Sequence, residues 1–394
     1  MNPVGTSTGE IAHTITRAGG AFLAQRIEMH TTRRALLVSL TIASLAWKFG
    51  TAASASTSFT VPVGANPGVS AVIPQTNELI VVNGTADVSV IDNVTSAVST
   101  VPAGLNPAFV VVNPATGYAY VSNSNSDTVT VFYGYGEGKK RKVVPVGTGP
   151  LRMAVNPNTN RIYVANCCNN TVTVIDGVTN STVSIPVGTT PIGIAVNPVT
   201  NRVYVANDWS NDVTVIDGFT NQAIATIPVG EAPYSVAVNP VTNKVYVAVQ
   251  GSGFSYAPGN VTVIDGATHD TVEILAGLQP VFLAVNTATN KIYVAGGQSN
   301  GDITVIDGAT GQTAHVPITY GQFGIAALSS VAVNEVTNTI YVTDSMSINL
   351  IVIDGNSNDV SVRPVAPYPN FVTVNPANNR VYVSNGNGVT IFQE

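Results

Sequence analysis

Most of the chain is written in short runs of alternating Val, Ile, Thr and Tyr, broken every few residues by Gly, Pro, Asn or Asp. Alternation with period two places one set of side chains on each face of a strand, and β-branched residues suit that pleat. The pattern itself recurs. A segment close to A-V-N-P-x-T-N-x-x-Y-V returns with its first Asn at 113, 156, 197, 239, 286, 334 and 375, and with Ile73 at the same place in an eighth copy. The separations are 40, 43, 41, 42, 47, 48 and 41 residues, the range expected of tandem supersecondary units. Each unit predicts four short strands; in the fourth unit they are 193–197, 202–206, 213–217 and 223–229.

The turns carry their own chemistry. Four residues past each anchor stands Asn77, Gly117, Asn160, Asn201, Asn243, Asn290, Asn338 or Asn379, residue types that best tolerate positive φ, so a left-handed turn residue is expected there. Pro follows the anchor in six of the eight copies and pre-sets the turn backbone. Pro102, Pro145, Pro186, Pro228, Pro317 and Pro364 fall in the fourth strand, where a residue without an amide hydrogen belongs on an outer edge.

Tandem four-stranded sheets that cannot bury both faces alone predict an all-β fold, an eight-bladed β-propeller of four-stranded antiparallel blades. The ends agree with a closed ring. Residues 59–64 form an orphan copy of a fourth strand, and the last unit stops at Glu394 just after its third. The N-terminal strand is therefore expected to complete the eighth blade, which removes two exposed sheet edges.

From Phe59 to Glu394 the chain resembles the YVTN-type β-propeller repeat family, YncE-like exported or surface proteins of bacteria and archaea. The resemblance is carried by Tyr163-Val164-Ala165-Asn166, Tyr204-Val205-Ala206-Asn207, Tyr382-Val383-Ser384-Asn385 and the recurring Val-Ile-Asp-Gly and Pro-Val-Gly. The literal four-letter motif does not occur, Tyr341-Val342-Thr343-Asp344 being nearest. The resemblance implies seven blades as the alternative to eight, and it implies a scaffold rather than an activity.

Composition narrows the classes further. With 45% hydrophobic and 10% charged residues the 394-residue chain is neither disordered nor a conventional helical enzyme, since the Lys, Glu and Arg that fill exposed helix faces are scarce. The net charge is -6, and from residue 56 onward 11 Lys and Arg stand against 20 Asp and Glu, a net of -9 that disfavours nucleic acid as a partner. Residues 29–55 have the layout of an export signal: Arg33 and Arg34, an apolar stretch from Ala35 to Trp47, and Ala53-Ser54-Ala55 as a cleavage pattern near Ala55. Thr32-Arg33-Arg34-Ala35-Leu36-Leu37 also resembles a twin-arginine signal. The expected organisation is a leader over 1–55 and one propeller over 56–394. The apolar stretch is too short to span a bilayer, so the exported product, whether periplasmic, extracellular or on the cell surface, is expected to keep no membrane span.

Candidate chemistry is sparse. Asp92, Asp176, Asp217, Asp265, Asp307 and Asp354 end third strands, five of them before Gly; a carboxylate there can serve as acid, base or calcium ligand, but its repetition favours an Asx turn. Only His269 and His315 follow the leader, too few and too scattered for a catalytic zinc or iron site, so no metal and no cofactor are expected. Adjacent Cys167 and Cys168 allow a vicinal disulfide, a soft-metal site or two inert thiols. Lys139 to Lys142 read as a solvated hairpin tip.

Position is more telling than residue type. Loops joining second to third strands, and linkers joining one blade to the next, open on one face of a propeller, and both lengthened intervals, 250–260 and 320–328, fall there. That face receives the expected ligand-binding residues Arg152, Trp209, Glu231, Tyr234, Phe254, Tyr256 and Tyr368, with Met346 and the two cysteines. The expectation is a monomeric binding or interaction module whose loop-rich face meets a protein, peptide or glycan. The alternative is a lyase or lactonase-like enzyme with its site at the axial mouth.

Overall fold

The computed structural model describes residues 57–133, 140–251, 258–296, 302–318 and 327–394. They form eight four-stranded antiparallel sheets and no helix. Seven sheets take their strands in chain order. The eighth runs Phe371–Asn375, Arg380–Asn385 and Gly388–Gln393 and is completed by Thr57–Val61, which pairs Val61 with Val389 and Phe59 with Ile391. The count is eight blades, not seven, and the first described strand, Thr57–Val61, closes the ring.

First strands of successive blades neighbour one another around the axis, the last meeting the first. Fourth strands lie outermost, and their prolines are their final residues, as in Thr182–Pro186 and Gln222–Pro228. The core is divided among the blade interfaces. Between the fourth and fifth blades, Tyr204, Ala206, Val213 and Val215 pack on Val245, Val247, Val249 and Ile264. Equivalent clusters fill the other seven interfaces, including Tyr382, Val389 and Ile391 of the last blade against Leu79, Val81 and Ile91 of the first. Burying an aromatic residue of about 150–250 Å² makes the repeated tyrosine the largest single contribution to seven of the eight interfaces, the exception being the one where Ile80 stands in its place.

The repeated asparagines join the blades. Each buried anchor Asn donates its side-chain amide to the carboxamide oxygen of the turn Asn in the next blade: Asn113 to Asn160, Asn156 to Asn201, Asn197 to Asn243, Asn239 to Asn290, Asn286 to Asn338, Asn334 to Asn379, and Asn375 to Asn77, at 2.6 to 3.0 Å. The turn residues sit at φ of 51–56°, and Gly117 at 74°, so the left-handed position read from the sequence is present in every copy. The interface without this bond is the one between the first and second blades, where the anchor is Ile73 and the turn residue is Gly117. Donor and acceptor are absent together, so neither is left buried and unpaired.

The glycine of Val-Ile-Asp-Gly belongs to the same lock. The backbone amides of Gly177, Gly218, Gly266, Gly308 and Gly355 donate to the main-chain oxygens of Asn160, Asn201, Asn243, Asn290 and Asn338 at 2.8–2.9 Å. A Cβ at any of these glycines would collide with the carboxamide of that same Asn.

Removing residues 58–64 takes away the fourth strand of the last blade and uncovers Val389 and Ile391. The expected result is a melting temperature lower by about 5 °C or more, since each kcal/mol corresponds to a few degrees in a domain of this size. An unchanged calorimetric transition for the truncated protein would refute closure by that strand.

Candidate functional site

The two faces of the ring are built differently. On the face of the first-to-second and third-to-fourth turns, the repeated polar residues are consumed by structure. The Asp265 carboxylate accepts the backbone amides of Ala267 and Thr268 at 2.8 and 3.1 Å, and Asp92, Asp176, Asp217, Asp307 and Asp354 do the same in their own hairpins. These amides hold the Asp176, Asp265, Asp307 and Asp354 carboxyls below the usual carboxylate range. The six aspartates are thus Asx-turn residues. Cations on this face are also engaged: Arg161 donates to the Gly218 carbonyl, Lys291 to the Gly355 carbonyl and Arg380 to the Asn93 carbonyl, each across a blade interface. His269 occupies a positive-φ hairpin position on the same face.

The opposite face carries the interblade linkers and the second-to-third loops. Its backbone is regular. The linker residue before proline is left-handed in Asn66, Asn106, Gly149, Thr190, Ala232, Gln279 and Tyr368 alike. The loop beside it is held by main-chain bonds such as Ser124 to Asn106, Cys167 to Gly149 and Asp208 to Thr190, at 3.0–3.1 Å. Because these bonds need no particular side chain, side chains here are free to differ from blade to blade.

At the axial mouth of this face, side chains from the third, fifth and sixth blades converge. The Arg152 guanidinium, at the start of the third blade, lies 4.7 Å from the centre of the Tyr234 ring of the fifth and 5.3 Å from that of Phe282 of the sixth. The two rings meet edge to face at 6.3 Å. The fourth blade, which stands between, presents Gly193 at the position equivalent to Arg152 and leaves the path open. Burial pulls the Arg152 guanidinium below its ordinary value, and Tyr234 partly restores it. Arg152 is the only charged residue in any of the eight first strands. The ion pairs Arg202–Asp217 and Arg363–Glu394 lie elsewhere, and no carboxylate is among the groups that act on Arg152.

Across the mouth, the first strands of blades eight, one and two border a cleft of about 170 Å³ lined by Gly68, Val69, Pro107, Ala108, Asn370 and Phe371, with Asn66 and Asn83 above. It shares Asn66 and Asn370 with a larger cleft of about 330 Å³ that also takes in Ser345, Tyr368 and Asn385.

The structure therefore brings Arg152 and Tyr234 together and sets Tyr368 apart, in the larger cleft. Trp209 is 75% exposed in the second-to-third loop of the fourth blade, so it fills no gap between blades. Glu231 is exposed in the next linker. Phe254 and Tyr256 lie outside the described residues. Phe282, Asn66 and Asn370 were not singled out by sequence. Aligning the units on the linker proline would have found Phe282, because Pro280 precedes it as Pro150 precedes Arg152.

Cys167 and Cys168 carry free thiols with their Sγ atoms 2.9 Å apart, on the same face. Burial, then the neighbouring Cys168, pushes the Cys167 thiol up to about 12. Gly149, at φ 66°, leaves the room they occupy, since a Cβ there would come within 2.6–2.9 Å of both sulfurs. Among the described residues no three His, Cys, Asp or Glu side chains are grouped to hold a metal ion.

Architecture and site define the class as a β-propeller with one structurally committed face and one variable face. Residues 85–240 match the family of YNCE-like β-propellers. No curated protein matches the chain. Among solved structures it is similar in fold to the hydrazine synthase of Kuenenia stuttgartiensis, at 20% identity over 73% of this chain and 95% of that one, with a TM-score of 0.59. The Dos1 propeller, at 10% identity over 86% of this chain and 94% of that one, gives 0.69. The structure of U3-55K, at 10% identity over 86% and 98%, gives 0.58. These neighbours serve varied roles and share the fold alone.

The Asx turns predict a pH dependence. A carboxyl whose folded value is lowered contributes stability that is present above the unfolded value of about 3.9 and is lost as pH falls through the folded one. A variant with Asp176, Asp265, Asp307 and Asp354 all changed to Asn keeps turn acceptors but no charge. Its melting temperature is expected to fall below that of the wild type at pH 7, with the difference shrinking below about pH 4. A difference that persists unchanged at pH 2 would show that charge is irrelevant to these turns.

Proposed function

We propose that this protein is an exported binding module that takes a peptide, protein or glycan on its linker face, with the axial mouth as the centre of contact. One observation carries the reading: Arg152, Tyr234 and Phe282, from three different blades, converge at the mouth on the face whose side chains vary. Rings that present apolar faces beside a cation, next to clefts lined by Asn66 and Asn370, suit a ligand that is polar with an apolar side. Trp209, exposed on the same face, supplies an aromatic contact at the rim. Export rests on the pattern of residues 29–55, and no helix among the described residues is long and apolar enough to cross a membrane. In an oxidising compartment, Cys167 and Cys168 are positioned to join as a vicinal disulfide.

Binding to a panel of immobilised glycans and peptides is expected to fall about ten-fold or more in a Trp209→Ala, Arg152→Met double variant that melts like the wild type. Equal binding by both proteins would remove this face from consideration. For the cysteines, alkylation of the denatured, unreduced exported protein is expected to leave its intact mass unchanged; uptake of two alkyl groups would rule out the disulfide.

A further inference from the structure

We infer that the axial mouth recognises a carboxylate-bearing sugar of the uronic acid type, with Arg152 receiving the carboxylate; this rests on the reading of the linker face as the binding face. Arg152 breaks three regularities of the molecule at once. It is the one charged residue among the eight first strands, it sits in a chain of net charge -6, and no carboxylate is among the groups that act on it. Elsewhere the inter-blade arginines end on carbonyl oxygens, as Arg161 does on Gly218 and Arg380 on Asn93. Arg152 has instead two rings, and its N–H donors are engaged by the Tyr234 side chain, with no carboxylate. A planar guanidinium fork matches a carboxylate with two parallel hydrogen bonds.

The rest of the mouth selects the body of the ligand. The first-strand positions level with Arg152 are Val69, Phe109, Gly193, Ser235, Phe282, Ser330 and Phe371, so none offers a competing charge. On the wall formed by blades eight, one and two, the cleft of about 170 Å³ is lined by Phe371, Asn66 and Asn370 among others. It has room for about five water volumes, the scale of one ring-sized group. A carboxamide offers both donor and acceptor to sugar hydroxyls, and an aromatic face packs on the apolar side of a sugar ring.

Titration calorimetry of the full chain with glucuronate, glucose and acetate tests the assignment. Glucuronate is expected to bind more tightly than acetate, and glucose to give no measurable heat. Arg152→Met is expected to weaken glucuronate at least ten-fold, Arg152→Lys less, and Asn370→Ala to weaken glucuronate but not acetate. The melting temperature separates this role from a structural plug: Arg152→Met is expected to melt near the wild-type temperature, because Met keeps the apolar contact with the two rings while the partly desolvated cation is removed. A lower melting temperature with undiminished glucuronate binding would assign Arg152 to the fold and overturn the inference. Glucose binding as well as glucuronate, abolished by Asn370→Ala but not by Arg152→Met, would overturn the carboxylate while leaving the binding face standing. A C-terminal peptide carboxylate that outcompetes glucuronate would overturn the sugar assignment.

Discussion

The bond from one blade's anchor asparagine to the next blade's turn asparagine is the constraint on which the rest of the ring depends. It sets two requirements on the sequence of every unit. The anchor amide must be buried at the end of the first strand, and the residue four places on must hold a left-handed conformation that aims its carboxamide back at the preceding blade. A buried hydrogen bond of this kind contributes only about 1 kcal/mol net, but leaving either partner unpaired costs more than the bond is worth. The pair is therefore kept or dropped as a unit. Seven interfaces keep it, from Asn113–Asn160 round to Asn375–Asn77. The eighth, with Ile73 and Gly117, has neither partner.

That constraint divides the labour between the faces. The anchor and turn asparagines and the Asp-Gly of the outer hairpin gather on one side of the disc. There the anchor carboxamides, the turn carboxamide oxygens, the Asx-turn carboxylates and the glycine amides are already committed to a neighbour. On the other side the linkers hold the loops by backbone bonds, which tolerate Asn, Gly, Thr, Ala, Gln or Tyr at the same left-handed position. Side-chain variety without loss of the fold is thus available on one face alone, and it is the face with the exposed Trp209 and the axial Arg152.

How much of this the sequence discloses follows from how far each interaction reaches along the chain. The four strands of a unit, the left-handed turn and the outer prolines depend on contacts within about ten residues, and all are legible from alternation and turn chemistry. Closure is legible for a different reason, since an orphan fourth strand and a missing one imply each other. The asparagine lock is only half legible. Both partners are conspicuous, but they belong to different units, and Asn197 reaches Asn243 rather than the turn Asn201 of its own blade. The convergence at the mouth is least legible, because Arg152 and Phe282 meet across the axis from blades three apart in order. Periodicity ties residues to equivalent places in other units; it does not say which of those places are occupied by side chains long enough to cross the channel.

A ring of eight similar blades poses a problem that its repeats cannot solve. If every unit presented the same side chain to the axis, the mouth would offer eight equivalent environments and could not orient a ligand that lacks that symmetry. Orientation requires the repeat to be broken in the axial layer while it is kept in the turns that hold the ring. That is the arrangement found here: a cation on blade three, nothing but Gly193 on blade four, aromatic rings on blades five and six, and a cleft lined by Asn66 and Asn370 over blades eight, one and two. The local field is positive on one side and neutral on the other, within a surface that is acidic on balance. On the binding reading proposed above, a polar ligand entering along the axis would meet a preferred bearing set by the Arg152 guanidinium before any loop on the rim touches it.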